Sequence, residues 1–193
     1  TLARTLFPYT TLFRSVFGTV LFGRTQSGDE AADRMLGMFI NTLPVCFDVT
    51  ETGCKIGIQK MHRLLAELMR HEHASLALAQ RCSAVPSPAP LFSTLLNYRH
   101  SVNEGSVAAD VSASWWESMG IKVLKEDERT NYPFTLSIDD FGNSFRLTMQ
   151  VQSPIEPQRM IRYLQTALTG LVDALTSNPG KAICTIDVLP ESE

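Results

Sequence analysis

Between Pro157 and Pro179 the large apolar residues fall at Met160, Ile161, Leu164, Leu168, Leu171, Val172 and Leu175, the three- and four-residue rhythm that lines one face of an α-helix. Pro157 stands where a first helical turn tolerates it, and Asn178-Pro179-Gly180 ends the pattern. A helix this long and this one-sided has to lie on an apolar surface of similar extent, so the rest of the chain must supply one. A second stripe, Ile58, Met61, Leu64, Leu65, Leu68 and Met69, predicts a helix over about 56–73, followed by a shorter one over about 74–82.

Around these helices the period drops to two. Val16 to Phe22, rich in β-branched and aromatic residues, reads as a buried central strand closed by Gly23-Arg24. Polar, turn-forming residues 25–34 connect it to a second strand, Met38 to Val49. Pro44 cannot donate to a ladder, so that point belongs at an edge, a bulge or a break. Val85-Pro-Ser-Pro-Ala-Pro90 forms a rigid connector into a strand from Leu91 to Tyr98, and His100 to Trp115 reads as a surface loop. Strands are expected at Ile121–Leu124, at Phe134–Asp139 and Phe145–Gln150 as a hairpin around Asp140-Phe-Gly-Asn143, and at Ala182–Leu189. The fold class is α/β (α+β), a mixed sheet with helices packed on it.

At 193 residues, 44% of them hydrophobic, the chain suits one domain, which at this size buries roughly 70% of the surface of its unfolded chain. The net charge is -3 and the 17 basic residues are scattered, which gives no electrostatic footprint for nucleic acid. No apolar run is long enough to span a bilayer and nothing reads as a signal peptide, so the expected location is the cytoplasm, with no membrane partner. Cys46, Cys54, Cys82 and Cys184 include no Cys-x-x-Cys pair and read as free thiols. His71 and His73 flank Glu72, but two residues apart on a helix is about 200°, which points the rings to opposite faces; no metal site is expected.

Thr1 to Ser15 differs from the rest of the chain: three Thr-Leu dipeptides, a Pro and two Arg residues with neither helical nor strand period. The string Leu6-Phe-Pro-Tyr-Thr-Thr-Leu-Phe-Arg-Ser15 resembles the conceptual translation of a sequencing adapter. Residues 1–15 are therefore expected to be a non-native, unstructured extension, with native sequence beginning near Val16.

Val20-Leu-Phe-Gly-Arg24 and Gly37-Met-Phe-Ile-Asn-Thr-Leu-Pro44 resemble two consecutive core motifs in the C-terminal half of a nonribosomal peptide synthetase condensation domain. Three further segments, in the family's order, are similar to stretches of the same half: Arg70-His-Glu-His-Ala-Ser-Leu-Ala-Leu-Ala-Gln80, Pro90-Leu-Phe-Ser-Thr-Leu-Leu-Asn-Tyr-Arg-His100 and Asn131-Tyr-Pro-Phe-Thr-Leu136. Leu189-Pro-Glu191 is like the linker into an adenylation domain, which divides the chain into 1–15, a C-terminal lobe over 16–190 and the start of a linker at 191–193.

The resemblance implies a two-layer sandwich, a chloramphenicol acetyltransferase-like lobe, that faces a related N-terminal lobe across a tunnel entered by carrier proteins. Their phosphopantetheine arms carry the substrates, and no cofactor is bound directly. It implies amide-bond formation between carrier-bound thioesters, with Val20 to Asn41 as tunnel floor and Gly23, Arg24, Asn41 and Thr42 along the substrate path. An equal alternative for Asn41 and Thr42 is to cap a strand break before Pro44 by side-chain hydrogen bonds. The family's His-His-x-x-x-Asp-Gly motif is absent from this chain, so no catalytic residue is assigned and the chain is expected to be an inactive fragment whose partners are the missing lobe, peptidyl carrier proteins and an adenylation domain. The family usually carries Arg four residues after the motif Thr, where this chain has Cys46, which lacks that charge and its fork of donors. Two other readings remain: a non-catalytic interaction lobe, and a stand-alone acyltransferase or epimerisation domain of the same fold. The last would need its own histidine, and His62, His71, His73 and His100 lie in no recognisable catalytic motif.

Overall fold

The structure, a computed structural model, describes residues 13–23, 36–49, 51–86, 88–100, 118–122 and 130–190. Five strands, β1 (Phe13–Leu21), β2 (Asn41–Val49), β3 (Thr94–His100), β4 (Phe134–Asp140) and β5 (Phe145–Val151), form one sheet in the order β2-β1-β3-β4-β5. β1 runs antiparallel to β2 and parallel to β3; β3 and β4 are parallel, and β4 and β5 form an antiparallel hairpin. The sheet is mixed, as the sequence pattern predicts. β1 is an interior strand, and Pro44 lies in an edge strand, where a missing donor is tolerated.

Among the described residues three helices pack with the sheet: α1 (Cys54–Met69), α2 (Leu76–Cys82) and α3 (Pro157–Ser177). α1 and α2 pack on β2, α3 on β5, and α1 meets α3, which places them on one face. Residues paired in register share a face, so Leu43 and Val45, both buried, line up with Thr19 and Phe17 and, across the sheet, with Leu96 and Leu136. This is the helix-covered face. The opposite face carries Thr42, Pro44, Cys46, Gly18, Asn97, Arg99, Thr135, Ser137 and Asp139. At its centre Phe92, stacked on Tyr132 at 5.4 Å between centroids, lies against Gly18, where an added Cβ would come within 2.2 Å of the Phe92 ring.

Four expectations need correction. Phe13–Ser15, expected to belong to an unstructured 1–15 segment, are in β1 and pair with Val49, Asp48 and Phe47; an in-register partner strand outweighs the weak local pattern. Residues 1–12 lie outside the described residues.

α1 ends at Met69 rather than near residue 73, and 70–73 form a turn whose Glu72 carbonyl is taken up from outside the helix.

Ala182–Leu189 is not a strand. It makes one bridge, Ala182 to Gly53, and a 3-10 turn at Ile183–Thr185. The backbone around its start serves α1 instead: no side chain caps that helix, the Lys181 and Pro179 carbonyls accept from the Cys54 and Lys55 amides at 2.9 and 3.1 Å, and the Ile183 amide donates to the Thr52 carbonyl at 3.0 Å. Two small positions, Gly57 and Gly170, let Ile183 and Ile186 approach α1 and α3.

Ile121 and Lys122 are not in a strand; 123–124 and the loop expected after His100 lie outside the described residues.

Candidate functional site

The residues singled out by sequence gather where β1 ends and β2 begins. Leu21 pairs with Asn41, so the segments 22–23 and 39–40 continue side by side beyond the ladder. Gly23 has φ +73°, in the left-handed region, and a Cβ there would sit 1.9 Å from the Phe39 carbonyl oxygen. Both the backbone angle and the close approach require glycine. Arg24 lies outside the described residues.

Asn41 faces the helix layer. Its Nδ2 donates to the carbonyls of Glu72 and Ala74 at 2.8 and 2.7 Å, and its Oδ1 accepts from the Thr42 amide at 2.9 Å. All the polar atoms of this side chain are thus engaged: the nitrogen ties β2 to the turn between α1 and α2, and the oxygen is held by the next residue of β2. Ser75 caps α2 by accepting from the Leu78 amide, so the turn is fixed at both ends. Thr42 points to the opposite face, in register with Val20. Sequence reasoning grouped Asn41 and Thr42 together; the strand's alternation separates them.

Beside Gly23 and Asn41, Phe22, Gly37, Met38, Phe39 and Ile40 surround a hollow of about 260 Å³. Its lining is apolar yet open: Met38 is fully exposed and Ile40 is 68% exposed, and Leu36, the residue before Gly37, is fully exposed as well. Cys46 lies farther along β2 on the helix-free face, exposed and opposite Val16.

The histidine pair is held by acid neighbours rather than poised over a cavity. His71 Nε2 is 3.7 Å from Glu67 Oε1, and His73 Nε2 is 3.8 Å from Glu72 Oε1, a carboxylate only 1% exposed. Among the described residues no three His, Cys, Asp or Glu side chains are grouped as metal ligands.

Sequence reasoning missed a polar cluster at the ends of β3 and β4. Asp140 Oδ2 accepts from the Tyr98 hydroxyl and lies 3.2 Å from His100 Nδ1, while Asp140 Oδ1 accepts from the Gly142 amide at 2.8 Å. The hydrogen bond from Tyr98, then that from the Gly142 amide, lowers the Asp140 pKa; the same bond, with lesser contributions from burial and the carboxylate charge, raises that of Tyr98. On the other face Arg99 grips Asp139 through Nε and Nη2 at 2.7 and 3.2 Å. The signal was the alternation Tyr98-Arg99-His100 opposite Asp139-Asp140, visible only once the parallel register is known.

The condensation-domain family profile matches residues 3–193, a match that begins inside the stretch expected to be foreign. The chain is 47% identical over 180 residues to malpinin synthetase of Mortierella alpina, covering 93% of this chain and 2% of that protein. It is 46% identical over 178 residues to malpibaldin synthetase of the same organism, covering 92% and 3%. The chain therefore spans a few hundredths of the length of these relatives. Among solved structures it is similar to the starter condensation domain of rhizomide synthetase in complex with C8-CoA, with a TM-score of 0.64 at 16% identity over 97% of this chain and 41% of that one. It is also similar to holo-AB3403, a four-domain nonribosomal peptide synthetase bound to AMP and glycine, with a TM-score of 0.63 at 12% identity over 92% and 14%. A mixed sheet bearing helices on one face, the Gly23 and Asn41 motifs at one end of it, and a profile match along nearly the whole chain place this protein in the condensation-domain family of nonribosomal peptide synthetases.

Proposed function

We propose that this chain is the C-terminal half of a condensation domain that joins carrier-bound aminoacyl or peptidyl thioesters through an amide bond, and that it is inactive until paired with an N-terminal half carrying the His-His-x-x-x-Asp-Gly motif. The observation that carries this reading is the exposed apolar run of Leu36, Met38 and Ile40 beside Gly23 and Asn41, on a chain that covers 41% of a solved condensation domain. In this reading the other half covers that run. Gly23, Arg24, Asn41 and Thr42 then border the substrate path: Asn41 holds the start of β2 in place, and Thr42, on the helix-free face, lines the path itself.

Chemically, the acceptor amine attacks the donor thioester carbonyl, the amide forms and the thiol leaves. Holding amine and thioester together supplies up to roughly 7–11 kcal/mol, and a histidine of the N-terminal half serves as base or orienting group. The partners are two carrier proteins with phosphopantetheine arms and an adjoining adenylation domain, in the cytoplasm.

The test is to express the chain alone and fused to the upstream half of its gene, with aminoacyl-loaded carrier proteins on both sides. Dipeptidyl thioester appears only with the fusion. Product from the chain alone, or an upstream segment lacking the His-His-x-x-x-Asp-Gly motif, overturns the proposal.

A further inference from the structure

β5 closes one margin of the sheet: β4 pairs with all seven of its residues, and among the described residues no strand takes up its other side. An uninterrupted row of N–H and C=O groups on an edge is a template for another strand. The strand that fits it is a copy of itself. Laid antiparallel on a second β5 about Thr148, it sets Phe145 opposite Val151, Leu147 opposite Met149, Arg146 opposite Gln150 and Thr148 opposite Thr148. Apolar meets apolar on the helix-covered face and polar meets polar on the other. Each Arg146 faces an amide rather than the other arginine, so no like charges are directly opposed. Of the registers that keep the two faces apart, this one alone engages all seven residues; a slip by one residue puts Leu147 opposite Thr148.

The helix beside β5 points to the same occupant. Leu147 and Met149, with Pro157 and Ile161 of α3, line an open hollow of about 420 Å³, and among the described residues none of its walls comes from β4, so it opens on the outer side of the strand. Across a two-fold axis the exposed Phe145 of the second copy stands opposite Val151 and diagonal to Met149, a separation that aromatic side chains bridge, and so reaches this hollow. From Ile161 the helical repeat runs through Gln165 to Leu168 and Val172, all three exposed, whereas the sides of α3 that carry Gly170 and the buried Ala174 are taken up within the chain. The axis keeps both α3 helices on one face of the joined sheet and runs them in opposite directions, stripe toward stripe. Stable association needs about 1,200–2,000 Å² of buried surface, more than one strand pair gives, and the helices extend it.

We infer that two copies of this chain pair through β5, antiparallel about Thr148, into a symmetric dimer with a single ten-stranded sheet. Its outer margins are then the two β2 strands, each interrupted by Pro44, so the assembly closes at two. The exposed run before β2 lies at the far margin of the sheet and stays free for other contacts. An unpaired copy keeps its β5 edge open to any strand it meets.

Sedimentation equilibrium of the chain tests this. With rising concentration the mass climbs from the 21.4 kDa of one chain to twice that value and stops there. Thr148→Lys and Thr148→Glu each set like charges face to face on the axis and give monomers; mixed in equal amounts they form the dimer again, because a residue on a two-fold axis meets its own counterpart. Val172→Ser, which leaves the strand untouched, raises the dimer Kd by roughly 10-fold. A wild-type chain that stays monomeric, or that grows into larger species, overturns the dimer. A Thr148→Lys variant that still dimerises overturns the register, as does a mixture that stays monomeric while both variants keep the wild-type circular dichroism spectrum. If a Thr148 variant fails to fold, Val172→Ser decides, and an unchanged Kd there overturns the pairing of the helices.

Discussion

The Asn41 side-chain amide donates to the Glu72 carbonyl at 2.8 Å, across 31 residues of chain, and so fastens the first residue of β2 to the turn that ends α1. The same nitrogen reaches the Ala74 carbonyl at 2.7 Å. Only an amide fits, because the position needs two donors and one acceptor on one short side chain. Asn41→Ala is expected to lower stability by about 2–3 kcal/mol through lost hydrogen bonds and stranded carbonyls. Asn41→Asp, which sets a carboxylate against two carbonyl oxygens, is expected to lower it further. Chemical denaturation of the two variants checks the order, and Asp milder than Ala would contradict it.

Gly18 and Phe92 form a matched pair of small and large on the helix-free face. Gly18→Ala should destabilise by about 1–3 kcal/mol through overpacking, and Phe92→Ala by about 3–5 kcal/mol through the cavity it leaves. The double variant should cost clearly less than the two combined, because the methyl occupies space the ring has vacated. Additive effects in a double-mutant cycle would mean the ring moves aside freely.

The ladder of β1 starts at Phe13, so two deletions should behave differently. Removing residues 1–12 leaves every described strand pair in place. Removing 1–15 takes away the pairs with Val49, Asp48 and Phe47 and is expected to lower the melting temperature by several degrees relative to the shorter deletion. Equal melting temperatures would show that these pairs contribute nothing.

The pKa of Asp140 is lowered, so its hydrogen bonds contribute stability that is present above the unfolded value near 3.9 and lost as pH falls through the folded value. Wild type and Asp140→Asn should differ in melting temperature above about pH 4 and converge in stronger acid. A difference that persists unchanged into strong acid would exclude this origin.

Cys54 is fully buried with its Sγ 3.0 Å from the Lys181 carbonyl, whereas Cys46, Cys82 and Cys184 are exposed. A thiol reagent should titrate three groups rapidly in the native protein and the fourth only on unfolding. Four fast thiols would mean that the junction of Lys181 with α1 opens readily.

The sequence shows the fold best where one physical signal dominates. The stripe from Met160 to Leu175 placed α3 to within a residue or two of its bounds, because nothing competes with its caps or its period. Ala182–Leu189 misled because its apolar residues cover helices instead of extending a sheet, and local pattern carries no record of which surface they meet. The site was half legible. Gly23 was recognisable as a motif, but its contact with Phe39 was not; Asn41 and Thr42 were found together, but not their division between faces. The Tyr98–His100–Asp140 cluster was out of reach because it joins strands 40 residues apart through a parallel register.

The two margins of the sheet do not invite neighbours equally. β2 is interrupted by Pro44, which removes a ladder donor and blunts it against foreign strands. β5 has no proline and no lysine, and it opens on Phe145, 64% exposed. Disordered clumping of this protein during expression or storage should therefore spread from Phe145–Val151, and a lysine placed on the outer side of that strand is the economical remedy.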